Sequence, residues 1–187
     1  MISNNQDLKC FLHADMAVNC APEGKQWKSL IKCWLNADYN LLYLHVLRRL
    51  EFVLNCLTGW KRNFLQTVLK RHLHKLSVIT GIYIPPNTFG KGLFLPHWGA
   101  IVVNDNARFG DYCVVQNCVN VSDGVVGGNH IYLGAGAKIM LDVHLADDVI
   151  VGANAVVSKT VERPNVVVAG VPARIVSENG FKNRDRI

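Results

Sequence analysis

A parallel β-helix preceded by an α-helical region is the fold this sequence predicts, and three observations predict it. From His97 to Val157 an aliphatic residue or its stand-in returns every six residues: His97, Val103, Phe109, Val115, Val121, Gly127, Leu133, Ile139, Leu145, Val151 and Val157. Four residues after each leader comes a second series, Ile101, Ala107, Cys113, Val119, Val125, Ile131, Ala137, Val143, Val149, Ala155 and Val161. Upstream, from Gln26 to Leu76, the apolar residues fall at helical spacing instead. A period of six with two apolar positions is neither the 3.6 of a helix nor the plain 2 of a strand. It suits a chain that coils into stacked short strands.

Taken in chain order, residues 1–24 are polar and read as irregular, closing at Pro22 and Gly24. Three apolar stripes follow. Leu30, Ile31, Trp34 and Leu35 form the first; Leu42, Val46, Leu47, Leu50, Val53, Leu54 and Leu57 the second; Phe64, Leu65, Val68, Leu69, Leu73 and Leu76 the third. Such stripes pack helix on helix, which makes residues 1–80 a helical N-terminal region. A lesser reading, from the cluster KRHLHK at Lys70–Lys75, is a basic amphipathic surface that touches a membrane. The turn-rich stretch Gly81–Gly92 opens the repeat domain, 81–176, and residues 177–187 form a polar tail expected to fray.

Three hexads close one turn of about eighteen residues, so residues eighteen apart should stack. His97, Val115, Leu133 and Val151 share one predicted column; Val103, Val121, Ile139 and Val157 a second; Phe109, Gly127 and Leu145 the third. Gly127 and Gly128 offer no side chain to theirs, so that corner is expected to bulge outward as a loop.

With 187 residues, half of them apolar, the chain can build a real core. The net charge of +6 is concentrated in the first half and favours anionic partners: a phosphorylated cofactor, an acidic glycan or a membrane surface. Nucleic acid is disfavoured, since no aromatic-interleaved basic motif or zinc spacing accompanies the charge. The six cysteines (10, 20, 33, 56, 113 and 118) show no CxxC pair, so no metal site is expected and all read as thiols of a reducing cytoplasm, with Cys113 a core filler. The start, MISNNQDLKC, is not built like a signal peptide, and Leu41–Trp60 is too interrupted by His45, Arg48, Arg49 and Glu51 to span a membrane.

LPHWGAIVV at 95–103 resembles the catalytic segment of serine acetyltransferases and their polysaccharide-modifying relatives, a hexapeptide-repeat family. GIYIPPNTFGKG resembles that family's first turn, LGAGAKI at 133–139 and VGANAVVSK at 151–159 its later coils, and AGVPARIV at 169–176 its closing strand. The resemblance implies a left-handed β-helix, a homotrimer, and acetyl-CoA in the crevice between neighbouring copies. It implies that His97 takes the proton of an acceptor hydroxyl, which attacks the thioester. Imidazole suits that task, with an unperturbed pKa of about 6.5. Gly134, Ala135, Gly152 and Ala153 match places that meet the pantetheine arm, and Lys159 and Arg174 match positions near the nucleotide phosphates. Asn117, at the position of a family glutamine, is placed to contact acceptor or thioester. His130 and His144 have no family counterparts and read as solvated.

Two departures bear on the acceptor. Tyr83 and Pro96 stand where serine acetyltransferases carry aspartates, and SDGVVGGN replaces the loop that holds their Arg-His pair. Without the aspartate, His97 is left to a backbone carbonyl, the Tyr83 hydroxyl or another subunit for its orientation. A zwitterion needs both charges matched, so the expected acceptor is a carbohydrate hydroxyl, in a capsular or exopolysaccharide unit. The alternatives are serine itself, as in cysteine biosynthesis, and a non-catalytic trimeric scaffold.

Overall fold

A computed structural model describes residues 1–20 and 38–181; the first apolar stripe lies outside them. Residues expected to be irregular form a helix, α1 (Asn5–Asn19). Its start is encoded by short polar side chains that sequence patterning passed over. Asn4 caps it by accepting the Asp7 amide at 2.9 Å, and Asp7 accepts the Ser3 amide at 2.9 Å in return. The second helix, α2 (Tyr39–Cys56), is capped by Asp38, whose Oδ1 accepts the Leu41 amide at 3.1 Å. The third, α3 (Gly59–Thr80), ends at Gly81, where a φ of 74° lets the amide turn back to Ser77 O at 2.8 Å.

α2 is the core helix, burying Leu44, Leu47, Leu50 and Val53. The third stripe divides: Leu73 and Leu76 of α3 are buried, whereas Phe64, Leu65 and Val68 face solvent. Helix–helix packing therefore accounts for only the second half of that stripe. Arg48 of α2 is 0% exposed. It donates to Asp15 of α1 at 2.7 Å, to Glu51 at 3.0 Å, and to the carbonyls of Phe89 and Gly90 at 2.9 and 2.6 Å. Burial disfavours its charge, but Glu51 and Asp15 outweigh that and bind its proton more firmly than usual. This ion cluster ties two helices to the first coil.

The coils build a three-sided prism of about five turns, a left-handed β-helix. One sheet runs through Ile82–Tyr83, Ile101–Val103, Asn120–Val121, Lys138–Ile139 and Val156–Val157. A second runs through Val114–Val115, Tyr132–Leu133, Ile150–Val151 and Val167–Gly170, closed by the antiparallel strand Ala173–Ser177. The third joins Arg108–Phe109, Val126–Gly127 and His144–Leu145. Pairing follows the predicted stacking, as in Val103 with Val121, Val121 with Ile139 and Ile139 with Val157. Every member of the second apolar series except Val161 is buried. At the corners the backbone turns through positive φ every six residues, at Tyr112, Cys118, Gly124, His130, Gly136, Asp142, Asp148 and Asn154. Glycine, Asn, Asp and His tolerate that conformation best.

Three expectations need correction. Gly127 does not bulge: its strand pairs on both sides, and a side chain there would run into the ring of Phe109, which fills the column in its place. His97 does not occupy an inward position. Phe94 pairs with Val114 and Val102 with Asn120, so the first coil spends eight residues where the next spends six. The two extra residues push His97 out onto an exposed bend and leave Leu95, 2% exposed, in the core. The tail is docked as far as Phe181, whose amide reaches Asp148 O at 2.9 Å while Gly180 reaches Asn165 O at 2.9 Å.

Candidate functional site

The corner that carries His97 is held from several sides. The Leu95 amide donates to Asn19 Oδ1 at 3.1 Å, and its carbonyl accepts from Asn40 Nδ2 at 3.0 Å. The Gly99 amide donates to Thr80 O at the end of α3, at 2.8 Å. Gly99 has a φ of 131°, and a Cβ on it would stand 3.2 Å from that of Asn117, so the bend crosses directly over Asn117. Anchored this way, the exposed His97 and Trp98 need no inward packing to hold their place.

His97 lines a cleft of about 560 Å³ with Pro96, Trp98, Asn117 and the start of α2, Asp38, Tyr39 and Asn40. Two predicted site residues, His97 and Asn117, thus come together. Asp38 is a cleft residue absent from the sequence-based expectations, since it arrives from a helix far from the repeat in sequence. Its signal was the N-cap position ahead of the second stripe. Asn40 is buried, with its Oδ1 unpaired among the described residues. Tyr83 is not among the residues lining the cleft. Its hydroxyl donates to Asp105 Oδ1 at 3.3 Å, and desolvation and the Asp105 charge raise its pKa above the ordinary tyrosine value. His130 is not simply solvated either: its Nδ1 lies 3.2 Å from Asp148 Oδ1, between the rings of Tyr112 and Phe181.

Below the bend runs one edge of the prism. Gly99, Asn117, Ala135 and Ala153 each precede a first-sheet residue by three, namely Val102, Asn120, Lys138 and Val156. Backbone rungs link them, Gly136 N to Asn117 O at 2.9 Å and Asn154 N to Ala135 O at 2.8 Å. At roughly 4.8 Å per coil, Ala135 and Ala153 continue the line of Gly99 and Asn117 along the prism. Gly134 has a structural reason of its own, since a Cβ there would stand 2.7 Å from Ala153 N and Val151 O of the next coil. A Cβ on Gly152 would stand 3.1 Å from that of Ala169. Lys159 and Arg174 meet in a separate cleft of about 400 Å³, which Arg163 and Glu162 also line. Arg163 is paired with Glu178 at 2.6 Å.

No model of a known protein family matches the chain. Over 125 residues it is 32% identical to a serine acetyltransferase of Synechococcus elongatus, covering 62% of this chain and 51% of that protein. Over 111 residues it is 32% identical to the serine acetyltransferase of Mycobacterium tuberculosis, covering 54% and 48%. The chain thus spans about half the length of these curated relatives. Among solved structures, serine acetyltransferase from Brucella abortus superposes with a TM-score of 0.70 at 24% identity, over 95% of this chain and 72% of that one. Soybean serine acetyltransferase complexed with serine gives 0.70 at 22% identity, over 92% and 70%. A serine acetyltransferase complexed with CoA gives 0.60 at 24% identity, over 92% and 71%.

These comparisons overturn the expected carbohydrate acceptor. The relatives and structures named above are all serine acetyltransferases, and the neighbour shown with an acceptor holds serine. A carboxylate does line the His97 cleft from outside the coils, that of Asp38 at the start of α2. The likeness first carried by LPHWGAIVV therefore holds at two levels: in sequence the chain is similar to serine acetyltransferases over about three fifths of its length, and in fold it shares the hexapeptide-repeat β-helix of their solved structures over nearly all of it.

Proposed function

We propose that this chain transfers an acetyl group from acetyl-CoA to the hydroxyl of serine, with His97 as general base. The observation that carries the reading is one shared cleft, in which an exposed imidazole and the Asp38 carboxylate face the same space. Asp38 offers a counter-charge to the serine ammonium. The amides of Tyr39 and Asn40 open α2 without intrahelical acceptors, at the positive end of the helix, and suit the serine carboxylate. Both charges of a zwitterion are then met without the missing Arg-His pair.

The imidazole of His97 takes the hydroxyl proton as the serine oxygen attacks the thioester carbonyl. As the carbon–sulfur bond breaks, the imidazolium returns that proton to the departing thiolate. Asn117, which lines the same cleft under the bend, suits donation to the developing oxyanion. Acetyl-CoA supplies the activated acyl group. The small residues Ala135 and Ala153 leave room for its pantetheine arm along the edge, and Lys159 and Arg174 suit its phosphates. The same reading carries a homotrimer, in which a neighbouring copy closes the crevice beside that edge.

The test is thiol release with serine, serinamide and a sugar panel, with product masses recorded. Serine should support release and yield O-acetylserine; release with sugars alone would overturn the reading. Asp38→Asn keeps a good N-cap but removes the charge, and should raise the serine KM by roughly 10- to 100-fold. An unchanged KM would remove Asp38 from acceptor binding.

A further inference from the structure

We propose that the outward face of α3 docks this protein onto an anionic lipid surface. Trp60, Phe64, Val68, Arg71, Lys75 and Val78 follow one another at steps of three or four residues, which places them in a single strip along the helix. All six are exposed, Trp60 by 74% and Phe64 by 62%. The opposite side of the helix is already occupied, with Leu73, Leu76 and Thr80 buried. The strip is therefore a second apolar face, left over after the helix has packed.

Its charges identify the occupant. A solvated helix face ordinarily mixes both signs, yet from Phe52 to Asn104 the chain contains no Asp or Glu, while Lys61, Arg62, Lys70, Arg71, Lys75 and Lys91 fall within that span. Exposed aromatic and aliphatic side chains bracketed by cations, with no carboxylate, are the chemistry of a helix that lies in a headgroup layer. Trp60 supplies the amphipathic ring favoured at that depth. The contact is peripheral, since no described helix is long and apolar enough to cross a membrane. The carbonyl of Thr80, at the end of the same helix, accepts the Gly99 amide two residues from His97, so docking would bring the His97 corner close to the lipid surface.

Flotation of the full chain with phosphatidylcholine vesicles, with and without phosphatidylglycerol, tests this. Binding is expected only to the anionic vesicles, weakening as salt is added. Each of Lys61, Arg71 and Lys75 changed to Gln should weaken partitioning roughly fivefold, and Trp60→Glu with Phe64→Glu should abolish it while the circular dichroism spectrum is unchanged. Equal binding to neutral vesicles, no binding to either, or binding indifferent to the Trp60 and Phe64 changes would overturn the proposal. So would a fall in the light-scattering mass of that double variant, which would assign the strip to contacts between copies of this chain.

Discussion

The coils from Ile101 to Val157 and the single turn before them obey different rules. Within those coils paired strand residues lie eighteen positions apart, and the side chains at both apolar positions of the hexad point inward. The first turn has a bridge at Phe94 and a strand at Ile82–Tyr83, but much of its anchoring comes from helix side chains: Arg48 on Phe89 and Gly90, Asn19 and Asn40 on Leu95, Tyr43 on Ile84. The repeat makes a stiff edge with little chemistry on it. The break in the repeat presents the imidazole. A perfect hexad at 97 would have buried that ring; two extra residues expose it.

The sharpest test of the contrast is His97→Ala. Because the ring is exposed and makes no core contact, its loss should leave the melting temperature unchanged while kcat falls roughly 10²- to 10⁴-fold. A stability loss in place of an activity loss would return His97 to a structural role. Arg48→Ala probes the other side, the dependence of the first turn on the helices. It strands Asp15 and Glu51 as buried charges and leaves two carbonyls without their donor, which should cost about 3–5 kcal/mol in denaturant unfolding. A loss below about 1 kcal/mol would mean that the coils hold the turn without the ion cluster.

Tyr43 gives a pH-dependent version of the same question. Its hydroxyl donates to Ile84 O at 3.1 Å and accepts the Ile84 amide at 2.9 Å. Burial pushes its pKa up to about 12, the hydrogen bond to Ile84 working against that rise. A raised value means that the folded protein holds the proton more tightly than the unfolded chain. The contribution is therefore complete below about pH 10 and is lost as pH rises towards 12. A rise from 10 to about 12 corresponds to roughly 3 kcal/mol. Cys113, pushed up to about 12 by burial, adds a loss of the same sign. Unfolding midpoints measured through that window should fall steeply in the native chain, and less steeply in Tyr43→Phe and in Cys113→Ala. Identical slopes in all three would exclude both groups.

The columns were legible because six is a period that neither helix nor strand shares, and stacking at eighteen follows from it by arithmetic. The displacement of His97 was not. LPHWGAIVV keeps the beat by coincidence, since His97 and Val103 are six apart even though the chain between them does not follow the regular path. Asp38 was hidden for a different reason. It meets the His97 corner only when α2 packs on the first coil, and no local pattern encodes a contact between residues so far apart in sequence. The start of α1, by contrast, was available in Ser3, Asn4 and Asp7 to anyone reading caps ahead of polarity.

Gly127 is where the regular coils can be broken most cleanly. Phe109, the largest residue in its column, lies one coil before the smallest, and its ring also stacks on Phe89 at 4.7 Å. The glycine is required by volume, since its φ is not among the positive ones. Gly127→Val should therefore cost roughly 1–3 kcal/mol through overpacking, without touching acetyl transfer. In a Phe109→Val background the same substitution fills vacated space and should be neutral or stabilising, so a double-mutant cycle ought to show a coupling of about 1 kcal/mol or more. Additive effects would mean that the two positions do not share a volume, and that the corner tolerates a side chain by moving outward after all.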